Sequence, residues 1–423
     1  MAGAATSQVE DQKPLKSLLA RLLKEEDRRE LETTGYGCDV AENSVVCVSN
    51  LPVRIDTRNN ITVYISSRRR VDDESSVRPY ALRRDNSLLQ WITPVKILQE
   101  NSNSNSNSKP PICQYNHTIP AVIFSSGMTG NLFHEFNDII IPLFITTRHF
   151  QSRVIFIIDD YNPRFVAKFS KILSQLSSHE IVNPSANTSV HCLPGMVLGL
   201  KFHDNLALNP RAIPGGHTMR DFRLFLAETY SLKFAHVSQI TALQPPTAVL
   251  ISRETTRKFL NEDEIVAMVE ELGFRVVVAR TEDSLDLEKF GNTINSCSVL
   301  MGVHGAGLTN ELFLPGGAVT VQVEPLGLEW ASEHYFGNPA GAMSVHYLRY
   351  KIEADESSLV QLYGSNHTVV TDPGSVYAMG YRVVREVYVD QQNIRVNVAR
   401  FRKTMLQALG LVKKKTLPRY IAY

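Results

Sequence analysis

Residues 301–310 read Met301-Gly302-Val303-His304-Gly305-Ala306-Gly307-Leu308-Thr309-Asn310. An apolar run, Val299–Val303, enters this segment and a helical pattern leaves it, which is the strand–turn–helix unit of an α/β fold. Gly305 and Gly307 remove side chains where a ligand can approach the backbone. Free N–H groups at a helix start favour anionic oxygens such as a diphosphate. The spacing is Gly-x-x-Gly-x-Gly. It is not the Gly-x-Gly-x-x-Gly dinucleotide fingerprint, nor a P-loop, because no Gly-Lys-Thr follows. A tight strand-to-helix turn also wants glycine, so spacing alone leaves phosphate binding and a plain turn both open.

The same alternation surrounds the turn. Upstream, Ala248–Ser252 reads as a strand. Asn261, with Glu264 three residues on, has a capping-box pattern. Ile265, Met268, Val269 and Leu272 follow at helical spacing, Gly273 stops that helix, and Phe274–Val278 is the next strand. A helix over Ser284–Asn295 and a strand over Ala318–Val323 complete the pattern. An earlier α/β region holds strand Ala121–Phe124, helix Asn131–Phe150, strand Val154–Ile158 and helix Asn162–Leu176, with Pro163 in a first turn where proline is tolerated. Pro245 and Pro246 separate the two. The expectation is an α/β protein of two doubly wound domains with a cleft between them. The first covers 35–244, the second covers 245–390, and a C-terminal helix and tail cover 391–423. Residues 1–34 are polar, with one amphipathic stretch at Leu15–Leu23, and read as a stem or flexible leader. Val45–Ile65 and the region of Arg68–Arg70 suggest short strands. Asn101–Ser108 is a pure Asn/Ser repeat, an exposed loop (101–108) with no core-forming residue.

At 423 residues the chain exceeds what one hydrophobic core usually serves. Its 43% hydrophobic and 21% charged residues are ordinary for a globular protein, and a net charge of +1 gives no support for a nucleic-acid partner. The Lys413–Lys415 run reads as a solvated tail. No run of about 18 apolar residues is present, so membrane attachment would need an N-terminal anchor absent from this chain. Five cysteines show no Cys-x-x-Cys pair, which argues against a zinc site. Cys38 and Cys47 flank a turn-like segment and can pair; the odd count leaves at least one free thiol. Sequons at Asn60, Asn116, Asn187 and Asn366 permit secretion.

On helix Asn131–Phe150, at about 100° per residue, Leu132, Phe136, Ile139, Ile140 and Leu143 fall on one side. His134 and Asp138 lie one turn apart on the other, with Asn131 and Glu135 beside them. Such an imidazole and carboxylate suit general-base work. Either His134 held by Asp138 takes the proton, or Asp138 takes it itself; the alternative is a solvated helix face. Arg253 and Arg257 follow a predicted strand, where ligands bind in such sheets, and suit a diphosphate; the alternative is a pair of surface arginines. Glu324 ends a strand and either accepts from ligand hydroxyls, such as those of a ribose, or is an ordinary strand-end charge. Asp72–Asp73 and Asp159–Asp160 are adjacent pairs, and Asp204 and Asp283 have no carboxylate two residues away, so no Asp-x-Asp metal motif occurs.

Gly302–Asn310, followed by Pro315-Gly316-Gly317 and Val323-Glu324-Pro325, resembles glycosyltransferase family 61. So do Gly130-Asn131-Leu132-Phe133-His134-Glu135-Phe136-Asn137-Asp138, Ser252-Arg253, and Asp390-Gln391-Gln392-Asn393-Ile394-Arg395 with Ala399-Arg400-Phe401. The resemblance runs in order from about Cys38 to Leu409 and is greatest to the plant branch that decorates xylan. It implies a GT-B-like fold, two Rossmann-type domains facing a central cleft, and inverting transfer from a UDP-sugar in the Golgi lumen or endoplasmic reticulum. The sugar would be xylose or arabinose and the acceptor a cell-wall polysaccharide such as xylan. Donor binding would fall to Arg253, Arg257, His304, Gly305, Ala306, Gly307, Thr309, Asn310 and Glu324, with Arg253 better supported than Arg257. Asn131 and Glu135 would lie on the acceptor side, and His134 and Asp138 would carry catalysis. The UDP-sugar is a co-substrate, and neither a cofactor nor a metal is expected. Family members usually carry one N-terminal membrane anchor; Met1–Lys16 has no apolar core that would supply it. Two alternatives remain: a relative acting on protein Ser/Thr or an N-glycan core, and a non-catalytic carbohydrate- or nucleotide-binding protein on the same scaffold. Absence of Gly-x-Gly-x-x-Gly weighs against an NAD-dependent oxidoreductase.

Overall fold

A computed structural model describes residues 14–67, 75–100, 110–186 and 188–414. Arg68–Arg70, Asp72–Asp73, Asn101–Ser108 and Asn187 lie outside the described residues. The chain forms two compact units, Met1–Asp204 with Leu208–Thr218, and Asn205–Ala207 with Met219–Tyr423.

In the first unit the strands are β1 (Tyr36–Val40), β2 (Val45–Ser49), β3 (Val53–Asp56), β4 (Thr62–Ile65), β5 (Ser76–Val77), β6 (Val95–Gln99), β7 (Tyr115–Asn116), β8 (Ala121–Phe124), β9 (Ile155–Ile158), β10 (Val190–Leu193) and β11 (Met196–Leu198). They form two sheets, ordered β1-β2-β11-β8-β9 and β5-β6-β4-β3-β10-β7. Only β11-β8-β9 of the first sheet is parallel; β1, β2 and β11 pair antiparallel. The expected doubly wound sheet is therefore a mixed one, because hairpin-forming strands precede the βαβ segment and join its edge. Ile55, Val63 and Ile97 of one sheet share a core with Cys47, Ile123, Ile157 and Leu198 of the other.

Residues 1–34 were expected to be a stem, but the described part is packed. Helices Leu15–Ala20 and Glu25–Thr34, with the turn between them, bury Leu18, Leu19, Leu22, Leu23 and Leu31, and His149 Nε2 meets the Leu18 carbonyl at 3.0 Å. One amphipathic stretch provides enough apolar surface to dock on the unit. Two disulfides, Cys38–Cys47 and Cys113–Cys192, lie in this unit; Cys297 of the other is free and buried.

The second unit has one all-parallel sheet. Its strands are β12 (Thr247–Ile251), β13 (Arg275–Ala279), β14 (Val299–Val303), β15 (Val319–Glu324) and β16 (His346–Lys351), ordered β13-β12-β14-β15-β16. The chain goes from β12 to one side and then returns to the other, so a topological switch point falls between β12 and β14. Its boundary is Thr218/Met219 rather than the Pro245–Pro246 pair. Helix Met219–Tyr230 belongs here because Tyr230 packs edge-on to Phe313 at 5.9 Å and Arg223 Nε donates to the Leu312 carbonyl. Nor do residues 391–414, the described part of the expected C-terminal helix and tail, stand apart: helix Val398–Lys413 buries Phe401 against Tyr350 of β16, with ring centroids 5.0 Å apart. Among the described residues, no helix is long and apolar enough to cross a membrane.

Candidate functional site

Three loops meet the carboxyl ends of β12, β14 and β15, which are neighbours in the sheet. Arg253 and Arg257 follow β12, Gly305 follows β14, and Glu324 ends β15. The segment after Gly305, Ala306–Phe313, is a 3-10 helix rather than an α-helix. Gly305 has φ +152°, a conformation essentially confined to glycine, and a Cβ there would lie 2.7 Å from Arg253 Nη1 and 3.1 Å from Arg257 Nη1. The two guanidinium groups thus converge on one backbone position. Gly307 plays another part. Its missing Cβ makes room for Ile251 Cγ2 at 2.7 Å, so this glycine serves helix-to-strand packing rather than ligand approach.

Both arginines are held without a carboxylate hydrogen-bond partner among the described residues. Arg253 Nε donates to the Thr256 carbonyl at 2.8 Å and Nη2 to Thr256 Oγ1 at 3.1 Å. Arg257 Nη1 donates to the His304 carbonyl at 2.7 Å, and its buried Nε has no partner. Burial lowers the affinity of both for their protons, and with Arg253 beside it Arg257 is pushed down to about 9. Arg257 takes φ +52°, and its N–H donates to the Gln392 carbonyl at 2.8 Å. The Gln392 amide also grips both backbone groups of Leu326 at 3.0 Å. Asn393 Oδ1 accepts from the Lys258 N–H at 3.0 Å. Residues 390–395 therefore clamp the arginine loop, a role no local pattern revealed. Asn261, expected as a helix cap, binds Val396 through its amide instead and makes no side-chain cap bond.

Strand β15 is buried throughout, and Thr320, Gln322 and Glu324 share one face of it. Gln322 Nε2 meets His304 Nδ1 at 2.8 Å, and Tyr347 Oη donates to Gln322 Oε1 at 3.1 Å. Burial, with Arg257 and Arg253 nearby, brings His304 down to about 3, so its imidazole is neutral. Neither oxygen of Glu324 has a hydrogen-bond partner, and burial raises its carboxyl against the pull of Arg349. Thr309 Oγ1 and Asn310 Oδ1 are also buried and unpartnered, whereas Asn310 Nδ2 donates to the Gly307 carbonyl at 2.8 Å. Ala306 is partly exposed at the turn's outer edge. Buried polar atoms without partners are unusual; Arg257 Nε, Thr309 Oγ1, Asn310 Oδ1 and both Glu324 oxygens are among those of the described residues, on segments that follow or end β12, β14 and β15. Three alternating polar residues in an otherwise apolar strand were the sequence signal for Gln322.

In the first unit, Asn131 caps the helix through Oδ1, which accepts from the N–H groups of Phe133 and His134. Glu135–Ile140 is a π-turn directly ahead of Pro142, which cannot donate to the Asp138 carbonyl four residues back. The alternative of a solvated helix face does not hold. Asp138 is wholly buried and accepts from Tyr80 Oη at 2.7 Å, His134 Nδ1 at 2.8 Å and Asn137 Nδ2 at 2.7 Å. The His134 side chain is 29% exposed and that of Asp138 0%. Nδ1 faces the carboxylate, leaving Nε2 for a reacting proton. Burial disfavours the imidazolium, but the hydrogen bond and charge of Asp138 outweigh it, and His134 sits above its ordinary range. Both Glu135 oxygens serve the fold, one accepting from Gly130 N–H at 2.9 Å and the other from Lys168 Nζ at 2.5 Å.

Tyr80 gave no sequence signal, being 58 residues from Asp138. Its ring packs on Gly127, where a Cβ would come within 2.1 Å of Tyr80 Cε2. Asp160 holds that loop, accepting from Ser125 Oγ and the N–H groups of Ser126 and Gly127. Among the described residues no group of three or more His, Cys, Asp or Glu is arranged to hold a metal. Asn60, Asn116 and Asn366 are exposed.

A parallel sheet with two cations at its switch point, and a separate histidine–aspartate pair, are parts an anion-using transferase needs. The chain belongs to glycosyltransferase family 61. The family model described as Glycosyltransferase 61 matches residues 113–321. The chain is 36% identical over 378 residues to an alpha-1,3-arabinosyltransferase of Oryza sativa subsp. japonica, covering 88% of this chain and 64% of the relative. It is 38% identical over 348 residues to a beta-1,2-xylosyltransferase of the same organism, covering 81% and 60%. To a xylan glycosyltransferase of Arabidopsis thaliana it is 31% identical over 394 residues, covering 89% and 78%. The chain thus spans less than two thirds of the length of the two rice relatives.

Proposed function

We propose that this chain is an inverting, GT-B-like glycosyltransferase that moves xylose or arabinose from a UDP-sugar to a polysaccharide such as xylan. The observation that carries the reading is the convergence of Arg253 and Arg257 on Gly305 at the switch point of the second unit. The guanidinium groups bind the diphosphate and stabilise the charge that grows on UDP as the glycosidic C–O bond breaks. His134 Nε2 takes the proton of the acceptor hydroxyl as its oxygen attacks the anomeric carbon, and Asp138 steadies the imidazolium. Glu324 accepts from donor hydroxyls. With arginine supplying the positive charge and no Asp-x-Asp motif in the sequence, no divalent metal is required. Two disulfides and exposed sequons support a Golgi-lumen location.

The purified chain, offered UDP-xylose and UDP-arabinose with xylo-oligosaccharides, is expected to give products one pentose heavier, with and without EDTA. UDP binding without any sugar-transfer product across donors would overturn the transferase reading. Loss in EDTA with recovery on manganese would overturn metal independence. Gly305→Ala provides a second test. Its new methyl meets the ends of two flexible side chains, so the fold is kept, with strain of about 1–3 kcal/mol. Calorimetry is expected to show UDP affinity at least about tenfold weaker. Unchanged affinity would put the nucleotide elsewhere.

A further inference from the structure

Trp330 stands 57% exposed on the short helix Glu329–Ser332, just beyond the strand that ends in Glu324. His334 stacks on one face of the indole at 4.4 Å and 19°, pinned there by Nδ1 contact with the Trp330 carbonyl at 2.8 Å. Tyr335 meets the indole edge-on at 5.7 Å and lies stacked against His304 at 6.3 Å. A row of rings therefore leads outward from the residue before Gly305 to a tryptophan that is more than half exposed. Two ion pairs border it: Lys351 Nζ with Glu329 at 3.5 Å, and Arg349 Nη1 with Glu333 at 4.0 Å. Arg349 Nη1 also lies 3.6 Å from Glu324, joining this patch to the turn.

We propose that Trp330, backed by His334 and Tyr335, is the platform for a neutral sugar ring at this site. The proposal rests on the donor-turn reading above. A pyranose or furanose offers a face of C–H groups for the indole and a rim of hydroxyls for carboxylates, which only accept, and for cations, which only donate. Glu329 and Glu333 against Lys351 and Arg349 leave the rim without net charge, which suits a neutral sugar. The ring can belong to the glycosyl group of the donor or to a residue of the acceptor.

The chain has two tryptophans, so Trp91→Phe, at a position 78% exposed, leaves Trp330 as the sole indole reporter. Its emission is expected to change with UDP-xylose or UDP-arabinose beyond any change with UDP alone if the donor sugar sits there. A change with xylotriose alone assigns the acceptor. Trp330→Ala is expected to raise KM for that substrate about tenfold, with UDP affinity unchanged and Trp330→Tyr restoring most of the loss. No response to any sugar-bearing ligand overturns the platform, as does a loss of affinity for UDP itself in Trp330→Ala, which would make it a base-stacking residue. Failure of the unsubstituted protein to bind UDP would instead strike the donor-turn reading, and the xylotriose titration would still decide the platform.

Discussion

His134→Ala is expected to lower turnover by about a hundredfold to ten-thousandfold, the usual contribution of a positioned general base. UDP affinity should not change, since in the proposed reaction His134 acts on the acceptor hydroxyl and the arginine pair on the diphosphate. Asp138→Asn should be slow as well, but for a different reason and with a second symptom. The wholly buried carboxylate receives three donors, and an amide turns one acceptor into a donor facing one of them. That costs about 1–3 kcal/mol, so this variant should melt earlier; His134→Ala removes one donor but leaves Tyr80 Oη on the same oxygen, Oδ2, and should melt earlier by less. The pH profile separates orientation from bulk stability. His134 must be neutral to accept a proton, so kcat/KM falls as pH drops through its value. Asp138 raises that value; Asp138→Asn should therefore move the acid limb to lower pH. The raised value also means that this interaction stabilises the folded state fully below the unfolded histidine value and ceases to do so as pH rises through the folded one. An acid limb unmoved by Asp138→Asn, or full turnover in His134→Ala, would place the base elsewhere.

The second large effect is on donor affinity. Truncating one member of a desolvated charge pair typically costs about 2–5 kcal/mol, so Arg253→Ala or Arg257→Ala should weaken UDP by about thirtyfold or more. The free protein should respond in the opposite sense. Two guanidinium groups brought together without a hydrogen-bonded carboxylate repel one another, and burial, with Arg253 alongside, has pushed Arg257 down to about 9 against the weaker pull of Asp390. Removing Arg253 relieves that repulsion, so the melting temperature without ligand should hold or rise while the shift induced by UDP disappears. Arg253→Lys keeps the charge but loses the fork, and should recover only part of the affinity. UDP binding within about threefold of the parent in both alanine variants would sink the assignment, since that difference is well under 1 kcal/mol.

What was legible in the sequence was local. The run Val299–Val303, the glycines after it, and apolar spacing such as Ile265, Met268, Val269 and Leu272 specify strand, turn and helix by period and by backbone conformation. Repeated strand–helix order then implies parallel pairing, and the strand order of the second unit places Arg253, Gly305 and Glu324 at neighbouring carboxyl ends. The motifs shared with family 61 named the same residues. Burial and partnership were not legible, because they depend on what distant segments bring. The residues around His134 and Asp138 carry an amphipathic pattern, yet the helix is buried on nearly all sides and Tyr80 reaches it from 58 positions away. Gln392 sets the Arg257 backbone from 135 positions away. Leu18, Leu19 and Leu31 pack into the first unit although their surroundings are charged. Periodicity thus determined which elements form, since it acts within a few residues. Only tertiary packing decided which polar groups lost water, which of them found partners, and which two cations were left sharing one glycine.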